Sequence, residues 1–121
     1  MKMLQRIGAL ALLAVVVVGC SVQLKTAAAA VDACDDALGS GRLVAHAQSG
    51  LGLADATGAT FPVLWPFGYS ARRDGAGVAL VDETGKVVAR EGDFIEAGGG
   101  FGNDGAFAVC AGSVKVVPAP G

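Results

Sequence analysis

After Cys34 the chain is interrupted at short intervals by turns built on glycine and aspartate, which leaves no stretch long enough for an amphipathic helix of ordinary length. Asp55-Ala56-Thr57-Gly58, Glu83-Thr84-Gly85 and Glu91-Gly92-Asp93 each separate two short apolar runs. That is the pattern of strands joined by tight turns. Arg42 to Gln48 alternates, with Leu43, Ala45 and Ala47 on one face. Further strands are expected at 51–54, 59–65, 78–82, 86–90, 94–97, 107–110 and 114–117. Pro62 and Pro66 mark their strand as an edge or an irregular end. Gly39-Ser40-Gly41 reads as a breaker, and 68–77 and 98–105 read as loops. A chain of 121 residues holds one domain. Six to eight short strands predict an all-β fold, a small barrel or sandwich of OB-like or SH3-like shape.

The N-terminus reads differently. Lys2 and Arg6 precede Ile7 to Val18, twelve residues that are all apolar or glycine. This run is short for a membrane span and suits the apolar region of an export signal. Val17-Val18-Gly19-Cys20 follows it directly. The tetrapeptide resembles the lipobox of bacterial lipoproteins at all four positions. The resemblance implies cleavage between Gly19 and Cys20. It also implies a diacylglyceryl group on the Cys20 sulfur, with fatty chains such as palmitate, and anchoring of the mature N-terminus in membrane lipid. Two acyl chains hold a protein stably where one holds it marginally. Ser21 is not the aspartate associated with inner-membrane retention. The alternatives are an ordinary export signal cleaved in Ala27 to Ala30, before Val31, and a retained membrane anchor. The expected organisation is a helical signal peptide over 1–19, a lipidated N-terminus and tether over 20–33, a small β-barrel domain over 34–117 and a disordered tail over 118–121. The expected location is the outer face of the cell membrane, or the outer membrane.

Acylation of Cys20 would leave two cysteines, Cys34 and Cys110. In an exported domain such a pair predicts a disulfide. The pair is not a Cys-x-x-Cys motif, and the sole histidine, His46, is remote from both in sequence. A reactive or metal-binding role is therefore not expected. The chain without residues 1–19 has seven Lys and Arg, nine less Lys2 and Arg6, against eleven Asp and Glu. That acidic balance argues against a nucleic-acid partner, which needs a basic footprint.

Few residues carry a chemical signal. Trp65-Pro66-Phe67-Gly68-Tyr69 followed by Arg72-Arg73 is the most functional-looking stretch. Trp65, Tyr69, Arg72 and Arg73 are candidate contacts for an oligosaccharide or an anionic polymer, unless the aromatics are spent on the core. Gly99 to Ala106 fits the calcium nonapeptide pattern loosely. One copy builds no site, because the metal there is shared between successive turns. Gly100-x-Gly102-x-x-Gly105 lacks the following helix that a dinucleotide fingerprint needs. His46 has no evident partner for acid–base work, and none of the five serines lies in a nucleophile elbow. No catalytic residue, metal ligand or cofactor is expected. A small hydrolase using His46 is the least favoured reading.

The body, with its VLWPFGYSARR segment followed by VALVDETGKVVAREGDFIEAGGG, is similar to small exported β-domains of lipoproteins from high-GC bacteria. The resemblance implies a fold and no activity. The functional expectation is a lipid-anchored, non-enzymatic domain that binds an envelope protein or glycan, or supports the envelope structurally.

Overall fold

The computed structural model describes residues 21–31 and 34–120. The expected signal segment, the expected lipobox and Cys20 lie outside them. Among the described residues every regular element is a strand. They are β1 (Ser21–Val22), β2 (Ala37–His46), β3 (Gly50–Ala54), β4 (Thr60–Leu64), β5 (Ser70–Asp74), β6 (Gly77–Val81), β7 (Val87–Arg90), β8 (Phe94–Phe101), β9 (Phe107–Val109) and β10 (Lys115–Val116).

Five strands close a barrel. β2 is long enough to serve two neighbours: residues 37–42 pair with β8 and residues 42–46 pair with β3. β3 pairs with β4, β4 runs parallel to β9, and β9 returns antiparallel to β8. Counting barrel strands alone, the circuit is first, second, third, fifth, fourth, with the third and fifth parallel. That is the connectivity of an OB-type Greek-key barrel. β10 extends the edge of β8 next to β9. Between the third and fourth barrel strands the chain inserts the meander β5-β6-β7, and β1 joins it beside β5.

The barrel and the inserted sheet share one core. Leu43, Leu51, Leu53, Val63, Ile95 and Phe107 fill the barrel, all essentially without exposure. Ala71, Leu80 and Ala89 stand in one row across β5, β6 and β7 and join the same cluster. Trp65, just past β4, is fully buried within it. Its indole N–H donates to the Leu51 carbonyl at 2.9 Å. Ser49, the one buried polar residue among those described, knits the same spot. Its hydroxyl donates to the Leu51 carbonyl and accepts from the Val63 amide.

Three segments differ from the sequence reading, and packing explains each. Gly39-Ser40-Gly41, read as a breaker, lies inside β2. A Cβ on Gly39 would fall 2.7 Å from the Phe107 ring, so glycine here admits an aromatic ring rather than a turn. Gly98-Gly99-Gly100, read as loop, belongs to β8 and is paired on both sides, to β2 and to β9. Closing the barrel supplies the hydrogen bonds that local propensity withholds. Ser70–Asp74, also read as loop, is β5, paired along its whole length with β6.

A fourth difference concerns the tether expected over 20–33. β1 pairs with β5, placing Ser21 opposite Arg72. Beyond it the Lys25 amide donates to the Ser49 carbonyl, the Trp65 amide to the Lys25 carbonyl, and the Ala27 amide to the Trp65 carbonyl. Gly50 makes room for this strap: at φ +81° it holds a conformation that suits glycine, and a Cβ there would collide with the Gln23 carbonyl. Residues 21–27 are therefore woven into the domain. At the other end the last barrel contact is the Val117 amide on the Phe94 carbonyl, and Pro118 to Pro120 are exposed without regular structure.

Two hairpins repeat one device. In Asp55-Ala56-Thr57-Gly58 the Thr57 hydroxyl and amide donate to Asp55 Oδ1 at 2.6 and 2.9 Å. In Asp82-Glu83-Thr84-Gly85 the Thr84 hydroxyl and amide do the same to Asp82 Oδ1, at 2.7 and 2.9 Å. These bonds, led by the threonine hydroxyls, hold both carboxyls below their usual 3.8. The folded chain therefore gives up these protons more readily than the unfolded one. The stability this contributes is full above the ordinary carboxylate value and is lost as pH falls through the lower folded values. Urea midpoints measured between about pH 5 and about pH 2 will show this acid limb. The double variant D55N/D82N, whose amides do not titrate there, will flatten it.

Candidate functional site

The four residues singled out for ligand contact do not form one surface. Trp65 has no solvent exposure and Tyr69 is 6% exposed. Burial pushes the Tyr69 phenol up, and its oxygen accepts from the Gly112 amide at 3.3 Å. Both rings are core, so neither offers a free face for stacking on a sugar or base. Arg72 and Arg73 stand exposed on β5. Of the aromatic stretch only Phe67 is markedly exposed, at 52%.

Phe67 lines a concavity of about 710 Å³. Leu64, Ala108 and Val109 of the parallel pair β4–β9 line it, together with Ala27 of the strap and Val31 beyond it. Asp35 and Glu83 are its carboxylates. Cys34 and Cys110 also line it and stand at bonding distance, with their Cα atoms 5.8 Å apart. That separation is ordinary for a disulfide. The groove is mostly apolar, and nothing in its lining pairs a nucleophile with a base.

At the far edge of the β8–β9 pair the aromatic rings of Phe61, Phe101 and Phe107 pack in series, tilted and then edge-on, with centroids 5.5 and 5.1 Å apart. Phe107 is buried, whereas Phe101 is 62% exposed. The sequence reading missed this ladder because its three members come from separate strands that meet only when β4, β8 and β9 close the barrel.

The remaining chemical signals resolve into structure. His46 lies at the end of β2, where its Nδ1 accepts from the Gln48 amide at 3.1 Å. A Cβ on Gly52 would lie 2.6 Å from the Phe61 carbonyl oxygen and 3.0 Å from the His46 ring. In the stretch resembling a calcium loop, Asp104 Oδ1 accepts from the Ala106 amide at 3.1 Å and closes the β8–β9 turn. Among the described residues no group of three histidine, cysteine, aspartate or glutamate side chains is gathered in a way that would hold a metal ion. No helix among them is long and apolar enough to cross a membrane.

Comparison of the chain with family models, with curated proteins and with solved structures finds no match.

Proposed function

We propose that this protein is an exported, lipid-anchored β-barrel domain whose role at the cell envelope is binding or structural support rather than catalysis. The observation that carries the reading is the strap. Residues 21–27 bond to Ser49 and Trp65 and pair with β5. Cleavage of the signal within Ala27 to Ala30 would strip a strand and three backbone hydrogen bonds from the fold. Cleavage before Cys20 leaves every one of them in place. Cys34 and Cys110 lend support, since a bridged pair belongs to an oxidising compartment.

On this reading the chain begins at Cys20, whose thioether-linked diacylglyceryl group sits in the membrane. The barrel presents its groove and its aromatic ladder to other envelope components. Intact mass of the protein from the membrane fraction tests this directly. The expected mass is that of residues 20–121 plus acyl chains, and reduction after blocking of free thiols exposes two new thiols. A Cys20→Ser variant will lose the acyl mass. An unacylated protein in the medium, starting near Val31, would overturn the reading.

A further inference from the structure

The strap that replaces a tether fixes how an anchored domain would stand on its membrane. Ser21 is hydrogen-bonded strand, in register with Arg72. A lipid on the preceding residue would leave no linker between the bilayer and the inserted sheet. The sheet has two faces. Val22, Ala71, Leu80 and Ala89 are in register and face the core. Strand alternation then turns Arg72, Ala79 and Arg90, in register with Ser21, to the opposite face. Arg72 and Arg90 are both exposed, while Ala79 between them is fully buried.

Charge is divided unevenly between this sheet and the rest. Its strands carry Arg72, Arg73 and Arg90 against the single acid Asp74, which pairs with Arg90. The remainder of the chain after Cys20 carries four Lys and Arg and ten Asp and Glu. An acidic protein thus concentrates its arginines on the strands nearest its attachment point. Arginine is the side chain best matched to phosphate, through its planar fork of donors. Basic residues held within a Debye length of an anionic leaflet are attracted to it.

We propose that the outer face of the β1-β5-β6-β7 sheet, through Arg72 beside the Arg90–Asp74 pair, lies against the anionic phospholipid headgroups of the membrane that holds the anchor. This rests on the acylation of Cys20 proposed above. The orientation is set by the register of β1 on β5 and stabilised by phosphate contacts.

The test uses the full-length protein, processed in a bacterial host, extracted from membranes and reconstituted into two kinds of vesicle. One is phosphatidylcholine alone; in the other, half the lipid is phosphatidylglycerol. A fluorophore is attached at Ser70→Cys, on the outer face of β5, or at Thr57→Cys, on the β3–β4 turn of the barrel. Lipids with a nitroxide on the headgroup quench whichever probe lies at the surface. The Ser70 position should be quenched about twofold more strongly than the Thr57 position, and more so with phosphatidylglycerol. Arg72→Glu should remove the excess, and Arg72→Lys should keep most of it. Equal quenching at the two positions in vesicles that carry the protein would overturn the orientation and leave the anchor standing. Failure of the unlabelled protein to float with either vesicle, together with a mass lacking acyl chains, would overturn the anchor and the orientation with it.

Discussion

Replacing Trp65 with alanine will cost about 3–5 kcal/mol of stability, a large share of the about 5–15 kcal/mol that a domain of this kind has to lose. Two terms combine. The indole is the largest fully buried side chain, so its removal forfeits apolar burial and leaves a cavity that strands on all sides cannot collapse to fill. The strap also runs along the same residue, since the Trp65 amide and carbonyl bond to Lys25 and Ala27. Loosening of the cavity will therefore spread to β1. Urea unfolding followed by circular dichroism measures the loss, and hydrogen exchange at the Ala27 amide reports the spread. Trp65→Phe retains much of the bulk and will cost less. A Trp65→Ala variant within about 1 kcal/mol of the parent would show that the site is not the keystone its burial implies.

Reduction of the Cys34–Cys110 bridge, or the paired change to serine, is expected to cost about 4.5 kcal/mol in the chain-entropy account, because the loop it closes spans most of the domain. The bridge joins the segment leading into β2 to the residue just past β9, and so ties two strands that the closed barrel already brings together. Part of the effect is therefore native-state packing, as Cys110 and Asp35 are also in contact. The check is the shift in urea midpoint with and without reductant. A C34S/C110S protein should respond to reductant not at all. Equal midpoints for oxidised and reduced parent would mean the bridge constrains little that the barrel does not.

The sequence made the class of fold legible, and the reason is local. Asp55-Ala56-Thr57-Gly58 and Asp82-Glu83-Thr84-Gly85 carry their own turn chemistry, so the hairpins β3–β4 and β6–β7 could be placed from the residues alone. The same local logic failed where glycine serves a distant partner. Gly39 reads as a breaker until the Phe107 ring arrives above it, and Gly98 to Gly100 read as a loop until β2 and β9 pair on either side. Ser70–Asp74 offered little alternation, because Arg73 and Asp74 stay exposed at the end of their strand.

The candidate site was less legible for a related reason. Trp65 and Tyr69 looked available because aromatics beside arginines suit ligand contact, yet a chain with only seven aromatic residues spends them on its interior first. The groove over β4–β9 depends on a parallel pairing between residues far apart in the chain, and no window of sequence shows it. The strap was hidden by composition: Ala27 to Ala30 suggests a spacer, while the bonds that fix it are made by backbone atoms and carry no side-chain signature.

The barrel circuit has a consequence for the order in which the chain can assemble. A polypeptide emerging from its N-terminus presents β2 early, and β3 and β4 can pair with it at once. The partner for the first half of β2 is β8, with Ala37 opposite Gly99, so that half stays open until almost the whole chain has appeared. The meander β5-β6-β7 needs only near neighbours and can form in the interval. Contacts so distant in sequence slow folding in general. The unpaired half of β2 is meanwhile the exposed edge most open to wrong partners. The vulnerable period of this protein is therefore the wait for its fourth barrel strand, and slowing delivery of residues 94–101 should raise aggregation more than slowing delivery of the meander.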